Sequence, residues 1–132
     1  MALAIFMLAS GIGLGAFGAH GLESRISEKY INVWETGCEY WIYSSFLIMA
    51  VVNFVQHNKN EIISNQLYGK YGLLKLFIFG SILFSISLWL IALNEISSTV
   101  LKKIGFLTPI GGVMMIVSLL LIVISFTKHN RN

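Results

Sequence analysis

Four long apolar stretches constrain this chain of 132 residues more than any other feature. An α-helix rises 1.5 Å per residue, so about 18–20 apolar residues cross a hydrocarbon core roughly 30 Å thick. Each stretch approaches or exceeds that length, and together they leave no room for a water-soluble domain. The stretches are Ala2–Ala19, Trp41–Val55, Leu73–Leu93 and Ile104–Phe126.

We therefore predict an all-α integral membrane protein, folded as one domain of four transmembrane helices. The spans are expected near residues 2–19, 40–56, 73–93 and 105–127. Hydrophobic residues make up 56% of the chain and charged residues 11%, whereas soluble domains carry about 25% charged residues. The net charge of +3 comes from basic residues scattered between the spans, which favours lipid head groups over nucleic acid as the partner.

The first connection is polar but carries apolar residues at helical spacing. Tyr30, Val33, Trp34 and Cys38 alternate there with charged and amide residues. This pattern is typical of an amphipathic helix at the membrane surface, and we predict that it runs on into the second span. Because Cys38 is the only cysteine, the chain has no intramolecular disulfide and no cysteine-based metal site.

Small residues recur at helical spacing in the first and third spans. Gly11, Gly15 and Gly18 share a side of the first span, and Ser81 and Ser85 are four residues apart in the third. Small side chains let a second helix approach closely in a membrane. They predict helix-packing surfaces, which could serve a homo-oligomer or another membrane protein.

The only proline, Pro109, follows Thr108 and allows two interpretations of the fourth span. In the preferred one, Thr108 caps a helix whose first residue is Pro109, and residues 101–107 lie on the membrane surface. In the other, the helix begins near Ser98 and kinks at Pro109.

Basic residues flank the spans almost evenly, so they indicate the orientation only weakly. Counting the N-terminal amine with the second group favours cytoplasmic placement of both termini, in the plasma (inner) membrane of the cell. The first group is Arg25, Lys29, Lys102 and Lys103, and the second is Lys59, Lys70, Lys75, Lys128 and Arg131.

The polar residues that could carry chemistry gather on one side of the membrane. Five of the six acidic residues lie there (Glu23, Glu28, Glu35, Glu39 and Glu95), and His20 ends the first span on the same side. Two carboxylates and a histidine are able to bind a divalent metal or relay protons. Interfacial hydrogen bonds are the preferred interpretation, so no metal or cofactor is assigned. The candidate polar cluster is His20, Glu35, Thr36, Glu39 and Thr108.

Four motifs, taken in order, resemble the YwdK/YgdD family of small membrane proteins, a domain of unknown function. The resemblance implies four transmembrane helices in bacterial plasma membranes, with relatives in mitochondria, and it supplies no activity, substrate or cofactor. Family members carry a histidine where this chain has Ser44, which weakens any shared two-histidine site. The motifs are Gly15–Leu22 (GAFGAHGL), Trp34–Gly37 (WETG) followed by Tyr40 and Tyr43, Leu83–Ser85 (LFS) and Thr108–Gly112 (TPIGG).

The chain carries none of the common catalytic motifs. It has no Ser-His-Asp set, zinc-protease motif, phosphate-binding loop or dinucleotide fingerprint. We therefore expect a non-enzymatic protein that organises the membrane or stabilises a partner. The alternative is an oligomeric transporter or channel for protons, ions or a small solute, with His20, Glu35 and Glu39 at the pore mouth.

Overall fold

A computed structural model describes residues 1–58, 65, 67, 72–97 and 101–129, and these residues form helices without any strand. A five-residue π-helix, Gly18–Leu22, follows the first α-helix, and a 3₁₀-helix, Leu101–Phe106, precedes the last. The continuous α-helices among these residues are α1 (Ala2–Phe17), α2 (Glu28–Asn58), α3 (Leu73–Ser97) and α4 (Leu107–His129).

Among the described residues, four segments are long and apolar enough to cross a membrane, and each overlaps one predicted span. They are Ala2–Leu22, Glu28–His57, Leu73–Ile96 and Ile104–Thr127. The prediction of an all-α protein with four transmembrane helices is therefore confirmed. Much of the polar connection between the second and third spans lies outside the described residues.

Helix α2 contains both the amphipathic segment and the second span. Its 31 residues correspond to about 46 Å, which exceeds a hydrocarbon core of roughly 30 Å. The amphipathic segment is thus the first part of a continuous helix rather than a separate element.

The start of α2 is held by the end of α3. The carbonyl of Ser27 accepts the first helical hydrogen bonds, from the amides of Tyr30 and Ile31. Glu95 Oε2 in turn accepts hydrogen bonds from the Ser27 amide at 2.8 Å and the Ser27 hydroxyl at 3.2 Å. In a capping box this carboxylate comes from the helix's own first turn; here α3 supplies it.

The α-helices pack mainly in chain order, with α1 on α2, α2 on α3 and α3 on α4. The rings of Phe54 and Phe126, 4.9 Å apart, also join α2 to α4. The larger of two apolar clusters among the described residues has Met7, Ile48 and Phe77 among its buried members, and the other includes Leu22, Trp34 and Ala92. The first and last helices therefore each keep a broad face outside the protein core.

Helices α3 and α4 approach each other at a pair of glycines. A Cβ atom on Gly111 would lie 2.7 Å from the Phe84 amide nitrogen and 2.8 Å from the Gly80 carbonyl oxygen. Near this crossing the hydroxyls of Ser87 and Thr108 are 2.7 Å apart and share a hydrogen bond. The Thr-Pro-x-Gly-Gly motif is thus a docking element for α3.

The last helix begins at Leu107, two residues before the predicted start. Pro109 lies in the first turn of α4. Backbone N–H groups in that turn have no acceptor within the helix, so the N–H that proline lacks breaks no helical hydrogen bond. The prediction that Thr108 is the N-cap is wrong, because Thr108 is the second helical residue and its hydroxyl bonds to Ser87. Leu101–Phe106 is a 3₁₀-helix that packs on α3.

We expect Gly111→Ala to destabilise the bundle and Gly112→Ala to leave it unchanged or slightly more stable. At Gly111 the added methyl meets backbone atoms of α3, so the helices must separate, at a cost of roughly 1–3 kcal/mol. At Gly112 it meets the Phe84 ring at 3.7 Å, an ordinary contact. Thermal unfolding in detergent micelles measures both, and equal effects would contradict the proposed crossing.

Candidate functional site

A π-turn follows the end of α1, and a tryptophan from α2 packs against it. The Gly18–Leu22 segment is a π-helix. Such wide turns are rare in proteins, and those that occur are frequently found at functional sites. One turn before it, the Leu14 carbonyl accepts a hydrogen bond from Trp34 Nε1 at 2.8 Å. A side chain of the second motif therefore closes onto the backbone just before the first motif's π-turn.

Gly18 makes this contact possible. A Cβ atom at this position would lie 2.5 Å from Trp34 Cδ1 and 2.7 Å from Trp34 Nε1. The indole has little freedom to retreat, because its centroid lies 5.9 Å from that of Phe17 and 6.0 Å from that of Trp89. The absence of a side chain at Gly18 thus sets the distance between α1 and α2.

The two remaining tryptophans extend this junction to α3. The rings of Trp41 and Trp89 are 5.6 Å apart, and Trp41 Nε1 donates to the Ser10 hydroxyl at 3.0 Å. A Cβ atom on Gly37 would lie 2.7 Å from Trp89 Nε1. The three indoles, which we call the tryptophan junction, therefore connect α1, α2 and α3.

The structure does not bring the five residues of the candidate polar cluster together. His20, Glu35 and Glu39 are exposed, and among the described residues no hydrogen bond or ion pair joins them. Thr36 Oγ1 donates to the Asn32 carbonyl of its own helix at 2.7 Å, and Thr108 lies at the α3–α4 crossing. Within the described ranges no three His, Cys, Asp or Glu residues are placed to hold a metal ion.

The five predicted packing residues fall into three environments. Gly11 and Gly18 contact α2, whereas nothing lies within 4 Å of a Cβ atom placed on Gly15. The side chains of Ser81 and Ser85 are fully buried. The contact face of α1 therefore includes only two of its three predicted glycines.

Sequence reasoning assigned no role to several residues that form the contacts above. An indole N–H in an amphipathic helix signals that a hydrogen-bond acceptor is needed, but the sequence does not show that the acceptor is Leu14. Gly80, a glycine within an apolar span, was a usable signal of close helix approach. The Ser27–Glu95 pair left no signal, because the two residues are far apart in the chain.

The side of α1 turned away from α2 is exposed and carries small residues. It includes Ala2, Ala9, Gly13 and Ala16, which follow each other at steps of seven, four and three and so share a face. We call this the small-residue face. Exposed Ile5, Phe6 and Ile12 flank this strip of small residues. Over residues 107–127 the exposed surface of α4 has no such strip and presents mainly large aliphatic side chains: Ile110, Val113, Ile116, Val117, Leu120, Leu121, Val123 and Ile124.

Comparison with known proteins finds relatives of unassigned activity. Residues 14–112 match the family model described as "Protein of unknown function (DUF423)". The chain is 40% identical over 118 residues to the UPF0382 membrane protein YwdK of Bacillus subtilis, covering 89% of this chain and 87% of the relative. A UPF0382 membrane protein of Staphylococcus saprophyticus is 39% identical over 117 residues, with the same coverage of both chains.

The similarity extends to a eukaryote. A UPF0382 membrane protein of Schizosaccharomyces pombe is 33% identical over 110 residues, covering 80% of this chain and 81% of the relative. No solved structure matches the chain. The residues matched by the family model include Gly18, Gly37 and all three tryptophans of the tryptophan junction. The match confirms the resemblance inferred from the motifs.

We expect Gly18→Ala to lower the free energy of unfolding by about 1–3 kcal/mol, because the methyl group overlaps the Trp34 indole and weakens its hydrogen bond. The matched control is Gly15→Ala, whose methyl group meets no atom. Unfolding followed by tryptophan fluorescence reports both the stability and the surroundings of the indoles. Equal effects of the two substitutions would contradict the role of Gly18.

Proposed function

Since this chain belongs to the uncharacterised UPF0382 family of membrane proteins, described as "Protein of unknown function (DUF423)", we propose that it is a non-enzymatic assembly protein of the membrane. In this proposal the small-residue face of α1 binds the same face of a second copy. The resulting dimer organises the surrounding membrane or stabilises a partner complex.

One observation carries the proposal: α1 has two distinct faces, and the small-residue face is left uncovered. Ala4, Met7, Gly11 and Gly18 are buried on the inner face. Helices in lipid gain little from burying large aliphatic side chains, because lipid tails are equally apolar, and they associate where small residues allow close backbone approach. The outward strip of alanine and glycine, flanked by Ile5, Phe6 and Ile12, therefore favours a helix rather than lipid as its neighbour.

The contrast with α4 supports this interpretation. Both helices lie at the ends of the packing order and both expose large apolar side chains suited to lipid chains, but only α1 also exposes a strip of small residues. A second copy is the simplest occupant of the small-residue face, because two identical faces related by a two-fold axis are self-complementary.

The proposal gives the protein no catalytic role, because the sequence contains no catalytic motif. We also propose that it resides in the cell membrane with both termini in the cytoplasm. Four spans return the chain to the side where it began, and the slight excess of basic residues on that side of the membrane favours the cytoplasm for it.

We expect Gly13→Leu to weaken self-association in lipid bilayers by about tenfold or more, because a bulky side chain in the centre of the face separates the helices. The matched control is Val113→Leu, which enlarges an exposed residue of α4 and should leave association unchanged. Dimer fractions at several protein-to-lipid ratios measure the effect by chemical cross-linking or single-molecule counting.

A wild-type protein that stays monomeric at all ratios, or equal loss of association in both variants, would overturn the proposal. A transport function would be favoured instead if proteoliposomes showed a flux of protons or metal ions that His20→Ala abolished.

A further inference from the structure

Among the described residues six serines are almost completely buried, and they divide into two groups. Ser45, Ser87 and Ser118 each donate to a carbonyl of their own helix at 2.7–2.8 Å, as serines in membrane helices commonly do. The hydroxyls of the other three have no hydrogen-bond partner among the described residues. These are Ser44, which is 1% exposed, and Ser81 and Ser85, which are 0% exposed.

Helical spacing places the three unpartnered hydroxyls along the contact between α2 and α3. Those helices run antiparallel there, since Gly37 approaches Leu88 and Trp89, while the rings of Tyr40 and Phe84 are 4.9 Å apart. Ser44 lies four residues after Tyr40 in α2, and Ser81 lies three residues before Phe84 in α3. The two serines are therefore about one helical turn from the Tyr40–Phe84 pair and level with each other.

The indole nitrogen of Trp89 is a fourth unpartnered group on the same line. Ser81, Ser85 and Trp89 are four residues apart and share one face of α3. Trp89 Nε1 is buried without a hydrogen bond, although the Cys38 thiol lies close enough to interact with this side chain. Sulfur is a weak acceptor, so the thiol does not replace an oxygen partner. We call this line of groups the serine seam: Ser44, Ser81, Ser85 and Trp89.

We propose that the serine seam binds ordered water molecules inside the membrane. A buried hydroxyl or N–H without a partner is costly, and the cost is greatest where lipid keeps bulk water away. Buried waters characteristically bond to such groups. The seam offers four of them within about 12 Å, the rise of eight helical residues.

The seam reaches only part of the way across the bundle. Beyond Ser44 and Ser81 the α2 and α3 helices contribute the buried apolar side chains of Ile48, Val52 and Phe77. Toward the other end, Trp89 is level with Gly37, and the exposed carboxylates of Glu35 and Glu39 flank that level. Water therefore enters from the glutamate-bearing side and stops near the middle, so the seam is a polar recess and not a continuous pore.

The three tryptophans provide an internal comparison for a test. The full-length protein, with ¹⁵N-labelled indoles, is placed in phosphatidylcholine bilayers and transferred from H₂O to D₂O. We expect the indole signal of Trp89 to decay at least tenfold faster than that of Trp34, whose N–H is donated to Leu14 O. A Trp89 signal that persists as long as that of Trp34 would overturn the proposal.

Substituting a serine of the seam gives a second test, because the change in Tm has opposite signs for a seam that holds water and one that does not. If water satisfies the Ser85 hydroxyl, Ser85→Ala removes a hydrogen bond, and we expect a lower Tm. The control Ser118→Ala lowers the Tm in the same way, by removing the bond to Met115 O. A raised Tm for Ser85→Ala would show that the hydroxyl was unpaired and dry, and it would overturn the proposal.

Discussion

Short distances between helix backbones hold this bundle together. Lipid tails solvate leucine and phenylalanine as well as another helix does, so apolar burial alone gives transmembrane helices little reason to associate. Dispersion contacts and interhelical hydrogen bonds remain, and both weaken quickly with distance. The crossings therefore use positions without a side chain: Gly18 beneath Trp34, Gly37 beneath Trp89, and Gly111 against the backbone of α3.

Polar contacts between elements add specificity to these close approaches. The Trp34 indole bonds to a backbone carbonyl of α1, Ser87 bonds to Thr108, and Glu95 caps the start of α2. The first two bonds each join two helices, and the third joins α3 to Ser27, the residue that precedes α2. Because each hydrogen bond forms at only one orientation of its helix, these bonds fix the rotation of the helices about their axes. The glycines fix the distance between the helices.

Sequence reasoning predicted four membrane-spanning helices correctly because the length of an apolar run is a local property of the chain. It predicted the α1 contact less well. The spacing of Gly11 and Gly15 suggested a shared packing face, but the contact with α2 follows alternating steps of three and four through residues 4, 7, 11, 14 and 18. That path brings Leu14 to the contact and leaves Gly15 beside it with open space.

The candidate polar cluster shows a different limit of sequence reasoning. Placing His20, Glu35 and Glu39 on one side of the membrane requires only the span boundaries. Whether their side chains meet depends on the rotation of each helix, and that rotation is set by the tryptophan junction. The acceptor for Trp34 and the donors for Glu95 are likewise distant in sequence, so only the fold identifies them.

Packing in chain order has a consequence for how the protein is made. A helix that leaves the insertion machinery finds its main partner already in the bilayer, because that partner is the helix synthesised just before it. Each step closes a short loop, so the entropy lost on docking is small. The bundle can therefore be completed one hairpin at a time during synthesis, without the first helix waiting for the last.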